Sequence, residues 1–280
     1  MKTITLNSTT KLVRSKGLIL LLSLFTCGGT FAQLQNNGKL YVRDNGILCL
    51  KAGNYGFGTG SATTQTTRTA STYGKVVFGS AATSSGAAAT HFIDGYARIL
   101  SDNSYVVSLG QTSVLAPIRI DAINTNGVDA AFYNAQPIDN LDIDADLIDI
   151  SASEYWDISG TAATLSLSYR ATTVANVTNT LYTIVGYNSG TTTWDVIPST
   201  IDLAATSISG LNSTNVAGSL TSDADVDFST YRFFTIGSKG DPCAPLIASS
   251  GIIKQWTGSA WVLNSDGSAV SDPTIADPVI

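Results

Sequence analysis

The chain has 280 residues, 44% hydrophobic and 13% charged, so it carries enough apolar content for a core and too much for disorder throughout. Its 15 Lys and Arg stand against 21 Asp and Glu, with no basic stripe, which argues against nucleic acid or anionic lipid as a partner. The acids comprise 20 Asp and one Glu; with 25 Gly and long runs of Thr, Ser, Ala and Val, this is the composition of a turn-rich β protein.

Residues 1–32 read as a secretory signal peptide. Lys2, Lys11, Arg14 and Lys16 form a basic n-region, and Gly17 to Phe25 is an apolar run too short to span a bilayer. Thr30-Phe31-Ala32 then offers a small-x-small cleavage site before Gln33. Leu24-Phe25-Thr26-Cys27 makes a poor lipobox, because Thr precedes the Cys. No later segment reaches transmembrane length, so the mature chain is expected to be secreted, at the outer cell surface or free, and not membrane-embedded. Losing the leader removes four basic residues and no acid, leaving 11 minus 21, a net charge of −10. Cys27 leaves with it. Cys49 and Cys243 remain, either paired or, more simply, as a buried strand thiol and a loop thiol.

Residues 33–103 read as a short-strand β region. Lys39 to Arg43 alternates, Asp44-Asn45-Gly46 turns, and Ile47 to Leu50 follows as a second strand. Lys75 to Phe78, His91 to Ile93 and Ala97 to Leu100 continue the series between Gly, Ala and Ser spacers. Strands this short with glycine corners suit stacked solenoid rungs, although no strict repeat period emerges.

Residues 104–238 carry longer strands. Tyr105–Leu109, Pro117–Ile123, Ala130–Tyr133, Glu154–Ile158, Thr164–Tyr169, Leu181–Tyr187, Thr193–Ile197 and Tyr231–Ile236 are separated by turn signals, the pattern of an antiparallel β-sandwich. No amphipathic helix is evident. Residues 239–280 form a linker (Gly240 to Pro245) and a tight hairpin, QWTGSAW, carrying Trp256 and Trp261. Asp272-Pro273 and Asp277-Pro278 break any regular structure beyond it.

Several of these segments, in order, resemble modular secreted cell-surface proteins of Bacteroidota, adhesin-like and associated with type IX secretion. They are Gly95-Tyr96-Ala97-Arg98, Ser104 to Gly110, Ala116-Pro117-Ile118, SEYWDISG, LSLSY, IVGYNSGTTTWDVIPS and FSTYRFFTIGS, with QWTGSAW and DPVI resembling the opening of a next module. The resemblance runs from about residue 36 to the end. It implies export, often by the type IX route, and outer-surface display, with no fixed activity. Two departures stand out: no C-terminal sorting domain is recognised, and the tail hairpin lacks its partner. The chain therefore reads as the leading piece of a longer protein or as a shortened relative.

Candidate chemistry is sparse. Glu154 stands beside an aromatic pair, as a catalytic acid in an apolar pocket does. Strand alternation instead puts Glu154, Trp156 and Ile158 on one face and Tyr155 and Asp157 on the other, which makes this a core strand. A glycosidase needs a second carboxylate at defined spacing, and no other Glu exists. His91 is the only histidine and no Gly-x-Ser-x-Gly elbow accompanies it, so neither a triad nor an ordinary zinc site is expected. Gly56 to Gly60 is glycine-rich but lacks the lysine of a phosphate loop.

Asp142, Asp144 and Asp146 alternate with Ile143 and Ala145 and could offer hard oxygens to Ca²⁺, the one cofactor considered. Counted from Asp142, however, Leu147 stands where an EF-hand needs Gly and Ser153 where it needs Glu. The same alternation suits a segment with one wet side, as does the shorter Asp223 to Asp227 run. Trp194, Trp256, Trp261 and Tyr187 are the aromatic candidates for stacking on sugars; Trp194 is expected in the sandwich core, and Trp256 and Trp261 are the candidate carbohydrate-binding pair. The resulting expectation is an exported structural or adhesive β protein without catalysis, serving as a spacer or contact module, with a carbohydrate-binding module as the alternative. Partners would be other surface proteins or glycans.

Overall fold

The computed structural model describes residues 3–6, 33–58, 62–68, 72–100, 104–121, 126–138, 142–170, 179–204, 208–209, 212–214, 217–240, 254–256, 261–263 and 269–270. Among them the structure is nearly all β, with mixed sheets, one short 3₁₀ turn at Asn179–Leu181 and no α-helix. The apolar run of the expected leader, the expected cleavage site, Asp139, most of the expected linker after residue 239 and Cys243 lie outside the described residues.

The first eight strands are β1 (Thr3–Leu6), β2 (Gln33–Asn36), β3 (Leu40–Val42), β4 (Ile47–Phe57), β5 (Thr64–Thr66), β6 (Lys75–Ser85), β7 (Ile93–Asp94) and β8 (Tyr96–Ile99). β1, β2, β4, β6 and β8 pair in parallel, each with the next. β3, β5 and β7 form a separate parallel sheet. β4 and β6 each run 11 residues, far past the four expected. The second half of β6, GSAATSS, is small and polar and carries no apolar alternation to betray a strand; that of β4, KAGNYGF, has only the alternating, buried pair Tyr55 and Phe57 after Ala52-Gly53-Asn54. A register shift between Leu50 and Ala52 lets the long pair bend. Gly95, between β7 and β8, has φ +132, and a Cβ there would collide with Thr66 Oγ1.

The next strands are β9 (Tyr105–Val107), β10 (Gly110–Gln111), β11 (Val114–Leu115), β12 (Ile118–Asp121), β13 (Val128–Tyr133), β14 (Leu147–Ile150), β15 (Tyr155–Gly160), β16 (Thr164–Arg170), β17 (Tyr182–Asn188), β18 (Thr193–Ile197), β19 (Ser199–Ile201), β20 (Ala217–Ser222) and β21 (Tyr231–Lys239). All their pairings are antiparallel. One 11-stranded sheet runs β1-β2-β4-β6-β8-β13-β15-β21-β17-β18, with β14 also on β21. The parallel strands therefore continue into the antiparallel ones through the β8–β13 pairing, Ile99 with Val128, Arg98 with Asp129 and Ala97 with Ala130. A five-stranded sheet runs β19-β20-β16-β12-β9.

The inward residues of these sheets share one core. It takes Phe78, Ile99, Phe132, Trp156, Ile158, Phe234 and Ile236 from the large sheet and Val107, Ile118, Ile120, Leu165, Leu167 and Leu220 from the five-stranded one. Trp156 and Ile158 are buried as expected, and the indole N–H donates to the Ala116 carbonyl at 3.3 Å. Trp194 is buried too, but in a separate cluster with Leu147, Ile150, Val185 and Tyr187. Cys49 departs from the expected buried thiol: it falls in the outward row Ile47, Cys49, Lys51 of β4 and is exposed.

Residues 1–239 form one compact unit and 240–280 another. The second contains β22 (Lys254–Trp256), β23 (Trp261–Leu263) and β24 (Ala269–Val270) in an antiparallel sheet. Replacing Trp156 by Ala would empty a large volume in the shared core and is expected to cost about 3–5 kcal/mol, read as a lower chemical-denaturation midpoint at unchanged m-value. A loss under about 1 kcal/mol would show that the two sheets do not close tightly over the indole.

Candidate functional site

Three carboxylates are buried in the described residues: Asp129, Glu154 and Asp157. A buried carboxylate needs a cation or several donors to stay ionised. Where each finds its partner determines what chemistry it can do.

Glu154 precedes β15 and is 3% exposed. Its carboxylate forms an ion pair with Arg170, the last residue of β16 in the other sheet. The Arg170 guanidinium also donates to the Leu115 carbonyl at 3.1 Å and lies 5.6 Å from the centre of the Phe132 ring. Burial lowers Arg170 to about 10, which leaves it charged at neutral pH. The Glu154 carbonyl accepts from Thr235 Oγ1 at 2.7 Å. The only glutamate is thus an inter-sheet tie, neutralised by a guanidinium; a general acid in an apolar pocket has no such counter-ion.

Asp129, on the outer face of β13, is 1% exposed. Arg98, its register partner on β8, binds it through two nitrogens at 2.5 and 2.6 Å. Lys75 Nζ on β6 reaches it at 3.1 Å, and the Tyr73 hydroxyl donates to it at 2.8 Å. Asp157, one strand further on, accepts from Tyr96 OH at 2.6 Å and from Arg232 of β21 at 3.0 and 3.2 Å. Its burial departs from the simple alternation, because Tyr96 and Arg232 cover it. Hydrogen bonds to the two aspartates raise Arg98 and Arg232 further above their already high values. Burial, with the hydrogen bond to Asp129, pushes the Tyr73 phenol up to about 12; burial and Asp157 carry Tyr96 well above the usual tyrosine range.

Aromatic rings fill the spaces between these charges. Tyr73 stacks on Tyr96 at 3.9 Å, and Tyr133 on Tyr155 at 4.8 Å with planes 1° apart. Phe233 meets Tyr155 edge-on at 5.8 Å. Arg68 lies 4.4 Å over the Tyr133 ring while donating to Asp94 at 2.6 Å and to the Phe132 carbonyl at 2.6 Å. The result is a continuous lattice across β6, β8, β13, β15 and β21, in which rings and ion pairs form a second layer on the large sheet.

The expected Ca²⁺ residues lie elsewhere. Asp142 and Asp144 flank Ile143, and both bond the backbone of Trp194, through the Asp142 carbonyl and the Asp144 N–H at 2.9 Å each. Asp144 Oδ1 accepts from the Asp146 N–H at 2.9 Å. The segment is a strap along β18: Ile143 packs with Trp194's cluster and the Asp residues face the wet side. Among the described residues no group of three His, Cys, Asp or Glu is placed to hold a metal. In the Asp223 to Asp227 run, Asp223 accepts from Thr200 Oγ1 at 2.8 Å and Asp225 from Thr164 Oγ1 at 2.7 Å, while Asp227 caps a turn by accepting from Ser229 and Thr230. His91 exchanges backbone hydrogen bonds with Ala88, and its Nδ1 lies 3.1 Å from Thr90 Oγ1. Trp256 and Trp261 are register partners in the β22–β23 hairpin; their side chains are outside the described residues.

No protein-family model, no curated protein and no solved structure matches the chain.

Truncating Asp129 to Ala would leave Arg98 and Lys75 packed together without a counter-ion. The expected loss is about 3–5 kcal/mol in denaturant unfolding, and a value near zero would mean that water already screens the cluster. A second expectation concerns alkali. A tyrosine whose folded pKa lies above its unfolded value near 10 contributes stability below that pH, and loses it as pH rises through the folded pKa. For Tyr73 the window is pH 10 to about 12. The melting temperature should fall across it, and less steeply in Tyr73→Phe; equal slopes for the two proteins would contradict the assignment.

Proposed function

We propose that the chain is an exported cell-surface β protein that acts as a stiff spacer or contact module and performs no catalysis. The observation that carries this reading is the use of all three buried carboxylates as cross-links: Glu154 between sheets, Asp129 and Asp157 between strands. Groups that a hydrolase would keep available are here tied to guanidinium or ammonium partners. The leader-like N-terminus, the net charge of −10 once residues 1–32 are gone, and the order of surface-protein motifs support export and display.

The finer architecture belongs to the same proposal. The parallel strands β2 to β8 are taken as solenoid-like rungs, with β4, β6 and β8 lining one side and β3, β5 and β7 another. The antiparallel strands from β9 onward are taken as a sandwich whose larger sheet is the direct continuation of the rungs. A spacer built this way transmits load along one hydrogen-bonded ladder.

Protease shaving of intact producing cells tests the reading. The expected outcome is release of a resistant fragment ending near residue 239, with cytoplasmic markers untouched. Survival of the protein on intact cells, with digestion only after lysis, would place it inside and remove the proposal.

A further inference from the structure

The inner strands of a parallel stack satisfy both their edges; the first and last do not, and an uncapped end is a template for another strand. In this chain the first strand after the leader is β2, Gln-Leu-Gln-Asn. Its inner edge pairs with β4. Its outer edge is taken by β1, in parallel and in register: Thr3 with Gln33, Ile4 with Leu34, Thr5 with Gln35, Leu6 with Asn36. β1 belongs to the leader, so on the reading that the leader is removed at export, the mature protein loses this strand and retains the edge.

Apart from its four-residue length, the edge lacks the usual protections. β2 has no proline, no charged residue and no bulge. It is also held firmly from within. Asn36 is buried: its carbonyl accepts from Gly58 N–H at 2.7 Å, its Oδ1 from Gly38 N–H at 3.0 Å, and its Nδ2 donates to Thr64 Oγ1 at 3.1 Å. Tyr55 OH meets the same Thr64 oxygen at 2.5 Å. Leu34 packs, half-buried, against the end of the main core. By strand alternation Leu34 and Asn36 share the core face, and the residues in register with them in β1, Ile4 and Leu6, are its two apolar ones.

We infer that the outer edge of β2 is an acceptor site in the exported protein for a parallel strand donated by another polypeptide, an extended segment with apolar residues at its second and fourth positions. This is strand addition, in which backbone hydrogen bonds supply affinity and alternate side chains supply register. The inference rests on the export reading above. The donor is a segment resembling Thr-Ile-Thr-Leu in pattern, and β1 marks the register it takes.

Two readouts separate the inference from the reading beneath it. Intact mass of the native exported protein reports processing; a mass that retains residues 1–32 would remove both the export reading and the vacant edge. With processing established, hydrogen exchange is followed at the β2 amides of that protein that point away from β4, with and without a synthetic peptide of residues 2–8 at about 1 mM, a concentration suited to a weak strand contact. The expected result is fast exchange in the free protein and about tenfold slowing with peptide, lost when Ile4 and Leu6 of the peptide are N-methylated. Equal exchange with the native and methylated peptides would overturn the inference. So would outward-pointing β2 amides already protected in the processed protein, whether by another of its own segments or by a second copy running as a dimer.

Discussion

The bidentate contact between Arg98 and Asp129 sits where two kinds of sheet meet. On one side lie the parallel strands β2, β4, β6 and β8; on the other, the antiparallel β13, β15, β21, β17 and β18. The joint is only three register pairs long, and Arg98–Asp129 is the middle one. Asp129 is buried, so its charge is tolerable only because Arg98, Lys75 and Tyr73 converge on it. Those partners come from β8, β6 and the segment just before β6, so the carboxylate draws the last parallel strands onto the first antiparallel one. Arg68 braces the same joint through Asp94 and the Phe132 carbonyl, and Asp157 extends the lattice to β21 through Arg232. This layer reinforces two short ladders, the three pairs of β8–β13 and the two of β15–β21.

The two faces of the large sheet are stabilised differently. Its inner face is ordinary core, closed by the five-stranded sheet and pinned across by Glu154 and Arg170. Its outer face uses side chains with apolar bodies and polar tips, Tyr, Arg and Lys, which pack like a second layer while keeping their heads partnered. The strap of residues 142–150 covers the far end of that face over Trp194. Such a construction needs no helix and yields a sheet stiffened on both sides, as suits a protein proposed to hold distance or present a contact surface.

Much of this was legible in the sequence, for identifiable reasons. The strands with clean alternation or strong β-formers, Ile118–Asp121, Thr164–Arg170, Tyr182–Asn188 and Tyr231–Lys239, fall close to where their patterns put them. Glu154 beside Trp156 reads correctly as the start of a core strand. The second half of β6 and all of β20 were hidden because Ala, Gly, Ser and Thr give no periodic contrast, whereas the second half of β4 does carry an alternating apolar pair, Tyr55 and Phe57. The site was the least legible part. Asp129, Asp157, Arg98 and Arg232 lie on four strands as isolated residues, and only a charged residue inside an otherwise apolar strand hinted at each. The conspicuous Asp142–Asp146 run drew the metal reading instead, although its alternation with Ile143 is what an edge strap with one dry side requires. Cys49 was misplaced because its strand, ILCL, reads as buried throughout, whereas it alternates.

The central claim is that the parallel and antiparallel strands behave as one cooperative body held at the β8–β13 joint. Native-state hydrogen exchange tests it most directly, by comparing amides of β6 and β8 with those of β17 and β21 as denaturant is added. The account predicts that both sets merge into one global opening with the same free energy and the same denaturant dependence. Separate openings, with the parallel strands exchanging through a smaller, independent unfolding, would contradict it.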